Sequence, residues 1–128
     1  MLIPEILDIG FKINEEQLWK EVIPVEEISI LELEHNLDIP YLDKKGTDAW
    51  NLTPRELIKN FFEETLHAEK VNQANLNYPI EIHYHMGRWI ILDGVHRFTK
   101  AVMQKNKTIK IRRVSKNIIK KISKPTND

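Results

Sequence analysis

One stretch, Arg88 to Val102 (RWIILDGVHRFTKAV), constrains the fold more than any other. Trp89 to Leu92 is a short apolar, partly β-branched run, the pattern of a buried strand. Asp93-Gly94 is turn chemistry, because Asp tolerates unusual backbone angles and Gly supplies a positive φ. Val95, Phe98 and Val102 then recur at helical spacing, which predicts one apolar helix face. His96, Arg97 and Lys100 fall on the remaining arc. A helix start offers unbonded backbone N–H groups and partial positive charge, so His96 and Arg97 in the first turn suit a phosphate or carboxylate. The plain structural alternative is that Asp93 caps the helix while Arg97 pairs with a surface carboxylate.

The flanking sequence supplies elements for a sheet and covering helices. Pro79 opens an alternating run, with Ile80, Ile82 and Tyr84 on one side and Glu81, His83 and His85 on the other. Met86-Gly87 predicts a hairpin turn into Arg88. Thr108 to Val114 alternates again as a strand, and Ser115 is a candidate cap for a last helix carrying Ile118, Ile119 and Ile122. Upstream, Thr53-Pro54-Arg55-Glu56 is a capping box with proline at the first helical position. Leu57, Ile58, Phe61, Phe62 and Leu66 give that helix a wide apolar stripe, with a second helical stretch over 68–74. Asn14 with Gln17 reads as the start of a short helix that buries Leu18, Trp19 and Val22 and ends by Pro24. Residues 28–33 read as a strand, 36–40 and 43–48 as loops, and 2–11 as a strand or docking arm. This order fits an α+β fold, a small mixed sheet flanked by helices.

At 128 residues one domain over 1–128 is expected, with 1–22 an amino-terminal extension, 23–122 the core and 123–128 a frayed tail. Nineteen basic residues balance nineteen acidic ones, which leaves no global field for nucleic acid. The acids concentrate in the first half and the bases after Lys100, so either a basic face or a solvated charged surface follows. Cysteine is absent, which excludes disulfides, thiolate metal sites and cysteine nucleophiles. No apolar run has the length of a membrane span, and a cytoplasmic location is the default expectation. Glu81, His83 and His85 share a strand face at a spacing open to a metal, but three secure ligands are not evident and no metal is assigned.

The signature residues resemble the ParB/sulfiredoxin superfamily, in particular its small stand-alone ParB-like proteins. The resemblance runs from Asn75–Ile80 through Gly87–Trp89 and Ile91–Ala101 to Ile109–Val114, and more loosely takes in 37–41 and 53–56. It implies the same α+β fold. In sulfiredoxin the corresponding loop is Gly-Gly-Cys-His-Arg; here Val95 stands at the cysteine position, so that redox activity is not implied. ParB has Gly-Glu-Arg-Arg, matched by Gly94 and Arg97 alone. A free-serine kinase of the superfamily has Asp-Gly-His-His-Arg, matched by Asp93, Gly94, His96 and Arg97. The resemblance therefore implies a phosphate-binding loop for ATP, ADP or CTP with Mg²⁺, and a phosphotransferase or NTPase. It places His67 and Lys70 near the nucleotide, with Lys100 on the same helix as the loop residues. Glu34, expected at a strand end, is the candidate catalytic base. The alternatives are a non-catalytic adaptor and a nucleic-acid-associated, nuclease-like protein; oligomeric state and substrate stay open.

Overall fold

The structure is a computed structural model and describes residues 11–47 and 50–125, with the side chains of 11–13 and 123–125 left aside. The expected arm over 2–10 and the loop residues Asp48 and Ala49 lie outside the described residues. In chain order the elements are β1 (Phe11–Ile13), α1 (Glu15–Lys20), β2 (Val25–Ser29), a 3₁₀ helix (Ile30–Asp38), α2 (Pro54–Lys59) and α3 (Thr65–Gln73). They continue with β3 (Ile80–His85), β4 (Arg88–Asp93), α4 (Val95–Met103), β5 (Thr108–Arg113), α5 (Lys116–Ile122) and β6 (Ser123–Pro125). The fold is mixed α+β, as the sequence predicts. The main sheet has the order β2-β5-β3-β4, parallel only between β3 and β5, while β1 and β6 form a separate antiparallel pair.

The local signals form as expected where they are self-sufficient. Thr53 and Glu56 make the reciprocal capping box, and Asn14 caps α1 by accepting from the Gln17 N–H. Ser115 Oγ accepts from Ile118 N–H at the start of α5. Met86 and Gly87 both have positive φ, at 50° and 85°, as a type I′ hairpin turn requires.

Other expectations are corrected. The predicted strand over 28–33 ends at Ser29 and gives way to the 3₁₀ helix. Its length is unusual for that geometry, but the sequence has the matching period: Ile30, Leu33, Asn36 and Ile39 recur every three residues and line its inner side. The single helix expected to carry Leu57 through Leu66 breaks after Lys59, so Phe62 is 92% exposed and Leu66 is also exposed. The second helix starts at Thr65 rather than Ala68. Leu18 is buried in α1, but Trp19 is largely exposed and Val22 is 99% exposed, because α1 has only six residues and presents one narrow stripe. Lys124 and Pro125 pair with Lys12 and Phe11 instead of fraying.

The sheet separates two unlike interiors. One face carries Ile80, Ile82, Ile91, Ile109 and Ile111, packed on Leu33 and Leu37 of the 3₁₀ helix and on Phe98 and Ala101 of α4. Each such side chain contributes roughly 1.5–3 kcal/mol through burial. The other face is covered by α1 and α5, where Leu18, Ile119 and Ile122 meet Val114 and Leu92. The outer edge of β4 is closed by side chains. Asn36 Nδ2 donates to Trp89 O at 3.1 Å, and Ile91 N–H donates to Tyr41 Oη at 3.0 Å. Tyr41 Oη in turn donates to Asn36 Oδ1 at 2.6 Å, which covers backbone groups that an edge strand otherwise exposes.

Candidate functional site

At the end of β4 the chain turns through Gly94 (φ 103°) into α4. A Cβ at Gly94 would lie 2.6 Å from Ile80 Cγ2, so glycine is required by space as well as by backbone angle. Asp93 does not cap the helix: α4 begins without a side-chain cap. The Asp93 carboxylate instead accepts from Trp19 Nε1–H at 2.9 Å and from Arg97 Nη2–H at 3.2 Å. The unfilled helix start therefore opens on a cleft of about 1000 Å³.

Of the residues singled out in the sequence, Lys70, Asp93, Gly94, His96 and Arg97 line this cleft together. Arg97 also donates through Nη1 to Pro79 O, so among the described residues two of its five N–H groups are engaged. His67 is brought against His96: their rings lie 5.2 Å apart and 21° from parallel, with His67 Nδ1 3.0 Å from His96 Nε2. Lys100 is placed elsewhere. Its Nζ donates to Asn72 O and Ala74 O, neutralising the carboxyl end of α3, which is where a cation belongs. Glu34 does not end a strand; it is an exposed residue of the 3₁₀ helix, away from the cleft lining and close enough to Arg55 to interact through charge.

Glu81 has a significance that its alternation pattern does not announce. It is 2% exposed, pairs with Asp93 in the β3–β4 register, and lines the cleft. Arg112 Nη1 donates to its Oε2 at 3.1 Å, while Oε1 is buried without a hydrogen-bond partner. Burial, and then the charge of Asp93, push the Glu81 carboxyl up to about 7 against the pull of Arg112. Arg112 also donates to the backbone carbonyls of Leu18 and Glu21, which ties α1 to the sheet. Glu15 on α1 is raised as well, by burial and by Asp93. His96 goes the other way: burial, His67 and Lys70 lower it to about 4, only partly opposed by Asp93. The cleft thus has, at the α4 start, an uncharged His96 imidazole beside the cations Lys70 and Arg97, and an acidic side against α1.

The expected His83–His85 face is not an exposed strand surface. His83 is buried and its Nδ1 donates to Val114 O at 2.7 Å. Among the described residues no group of three or more His, Asp or Glu is gathered to hold a metal ion. The residues that sequence reasoning missed as cleft components, Glu15, Trp19, Glu81 and Arg112, come from α1, β3 and β5. The available signal was Arg112, a cation at an inward strand position between Ile111 and Val114. Comparison of the chain with family models, curated proteins and solved structures returns no match.

Proposed function

We propose that the cleft binds a phosphate-bearing ligand, a nucleoside di- or triphosphate with Mg²⁺, and that the chain is a ParB/sulfiredoxin-like domain acting as a phosphotransferase or NTPase. The observation that carries this reading is the uncapped start of α4, facing a cleft lined by Lys70, Arg97 and Gly94. A helix start without a side-chain cap keeps its first N–H groups available for oxygen acceptors, and Gly94 lets backbone approach them closely. The cleft volume suits a nucleotide-sized ligand.

A DNA-binding role has less support. Ion pairs join the acid-rich first half to the basic carboxyl-terminal segment at Glu21–Lys121 and Glu26–Arg113, and Glu81 takes Arg112. The formal net charge of zero leaves no global field to draw in nucleic acid. Among the described residues no helix is long and apolar enough to cross a membrane. The adaptor alternative draws on the exposed Phe62 and Leu66 at the α2–α3 corner.

Titration calorimetry and thermal shift with ATP, ADP, CTP and GTP, with and without Mg²⁺, test the proposal. A ligand at 100 times its Kd stabilises the native state by about 2.7 kcal/mol, an easily read shift. No heat and no stabilisation at millimolar nucleotide would set the adaptor reading ahead.

A further inference from the structure

The two imidazoles at the α4 start form a directed chain. His67 Nε2 lies 2.8 Å from the backbone carbonyl of Asp43. A carbonyl only accepts, so the proton of His67 sits on Nε2. In the neutral ring His67 Nδ1 is then an acceptor, and the contact to His96 Nε2 at 3.0 Å requires the proton on His96 Nε2. The nitrogen left on the cleft-lining His96 ring is Nδ1, and it carries a lone pair.

We infer that His67 holds His96 in the tautomer whose Nδ1 accepts, so that His96 serves the cleft as a proton acceptor for a ligand hydroxyl or amine, not as a phosphate donor. The inference deepens the phosphate-binding reading and rests on it only for the ligand's identity. It replaces the donor role expected for His96 from the sequence. The groups facing His96 agree with it. The two stacked imidazoles cannot both be cationic, Lys70 on α3 and the helix start oppose a positive charge on His96, and Asp93 favours it. His96 therefore stays neutral through the physiological range, with its ordinary value lowered to about 4. A phosphate oxygen without a proton would meet a lone pair at Nδ1 and be repelled.

Combined with a nucleoside triphosphate, the chemistry is a phosphoryl transfer to a hydroxyl. The hydroxyl proton passes to His96 Nδ1 as its oxygen bonds to the terminal phosphorus. The bond from that phosphorus to the bridging oxygen breaks, and the diphosphate leaves with the electron pair. The His96 imidazolium then returns its proton to water. The positive charge it holds meanwhile is shared along the chain, because His67 can accept from His96 and donate to the Asp43 carbonyl.

The decisive measurement needs no ligand. Long-range ¹H–¹⁵N correlation on the imidazole rings of the intact protein, from pH 6 to 8, should show His96 protonated on Nε2 and bare on Nδ1. His67→Phe, which keeps a ring and removes the acceptor, should abolish that single-tautomer pattern. An Nδ1–H tautomer or an imidazolium at pH 7 in the parent protein would overturn the inference, whether or not the variant folds. Calorimetry with Mg·ATP supplies the second readout. Affinity should show the same pH dependence in the parent and in His96→Ala between pH 6 and 8. A tenfold loss with rising pH in the parent, absent in the variant, would restore His96 as a cationic phosphate donor and sink the inference. Absence of any heat would count against the nucleotide reading alone, because the ring spectrum tests the tautomer by itself.

Discussion

The two faces of the central sheet are built by opposite rules. Toward α4 and the 3₁₀ helix, β3 presents Ile80 and Ile82 to the apolar side chains of Phe98, Leu33 and Leu37. Toward α1 and α5, the alternate residues of the same strand, Glu81 and His83, are equally buried but polar. The first face is held by area, which tolerates change of pH and salt. The second is held by directed bonds, above all from Arg112 to Glu81 and to the carbonyls of α1. A buried ion pair contributes little net stability, yet breaking one partner is costly. The polar face is thus the more fragile of the two, and it gives the cleft Glu15, Trp19, Glu81 and Arg112, while the α4 side gives it Val95, His96 and Arg97.

The largest expected effects separate the faces by their pH dependence. Phe98→Ala leaves a cavity in the apolar face and should cost ~3–5 kcal/mol, equally at pH 5 and pH 8. Arg112→Met removes the partner of Glu81 and should cost a similar ~3–5 kcal/mol at pH 8. The second cost should shrink at pH 5, where the carboxyl takes up a proton and no charge is stranded. Urea unfolding of both variants at the two pH values measures this. If Arg112→Met costs the same at both, the polar face is ordinary packing.

Glu81→Gln tests the same face with a smaller change. The native carboxyl titrates near 7, above its reference 4.5, so between those values the folded state holds the proton more tightly than the unfolded chain. That stabilisation is complete below pH 4.5 and is lost as pH rises through 7. At 1.36 kcal/mol per unit it amounts to about 3 kcal/mol. Gln carries no such titration. Relative to the parent, Glu81→Gln should therefore gain about 3 kcal/mol on going from pH 4.5 to 8. Parallel stability–pH curves for the two proteins would show that Glu81 titrates as an ordinary surface carboxylate.

The sequence shows the apolar face far better than the polar one, and the reason is range. Val95, Phe98 and Val102 declare the buried side of α4 by their spacing alone, and Thr53 with Glu56 declares the start of α2 within four residues. Glu81 and His83 look like a solvent-facing alternation, because the elements that bury them, α1 and α5, lie some 60 and 35 residues away in the chain. The 3₁₀ helix was masked by a three-residue period that mimics partial alternation around Glu32 and Glu34. In the site, the turn at Gly94 and the cleft position of His96 and Arg97 follow from local sequence. The partner of His96 does not: His67 is 29 residues upstream, and only the packing of α3 beside α4 brings the rings together.

Arg97 stands at the seam between the faces and should give the smallest change in stability. It bonds to Asp93 four residues back and to the Pro79 carbonyl, with its side chain one-fifth exposed. A fully exposed pair at this spacing is worth ~0.3–0.5 kcal/mol, a floor for this largely covered one, and the lost bond to the Pro79 carbonyl adds ~1 kcal/mol. Arg97→Ala should thus cost at least ~1–1.5 kcal/mol, and less than the other two truncations. Asp93 keeps its bond from Trp19, so the carboxylate is not stranded. The effect on ligand should be larger than the effect on folding. A lost charge-assisted bond to phosphate costs ~1.5–3 kcal/mol, a weakening of tenfold or more. Melting curves and Mg·ATP calorimetry on one preparation give both numbers. A fold lost with Arg97→Ala would make the Asp93–Arg97–Pro79 bonds structural, and α4 would then start at a hinge of the scaffold, not at a binding site.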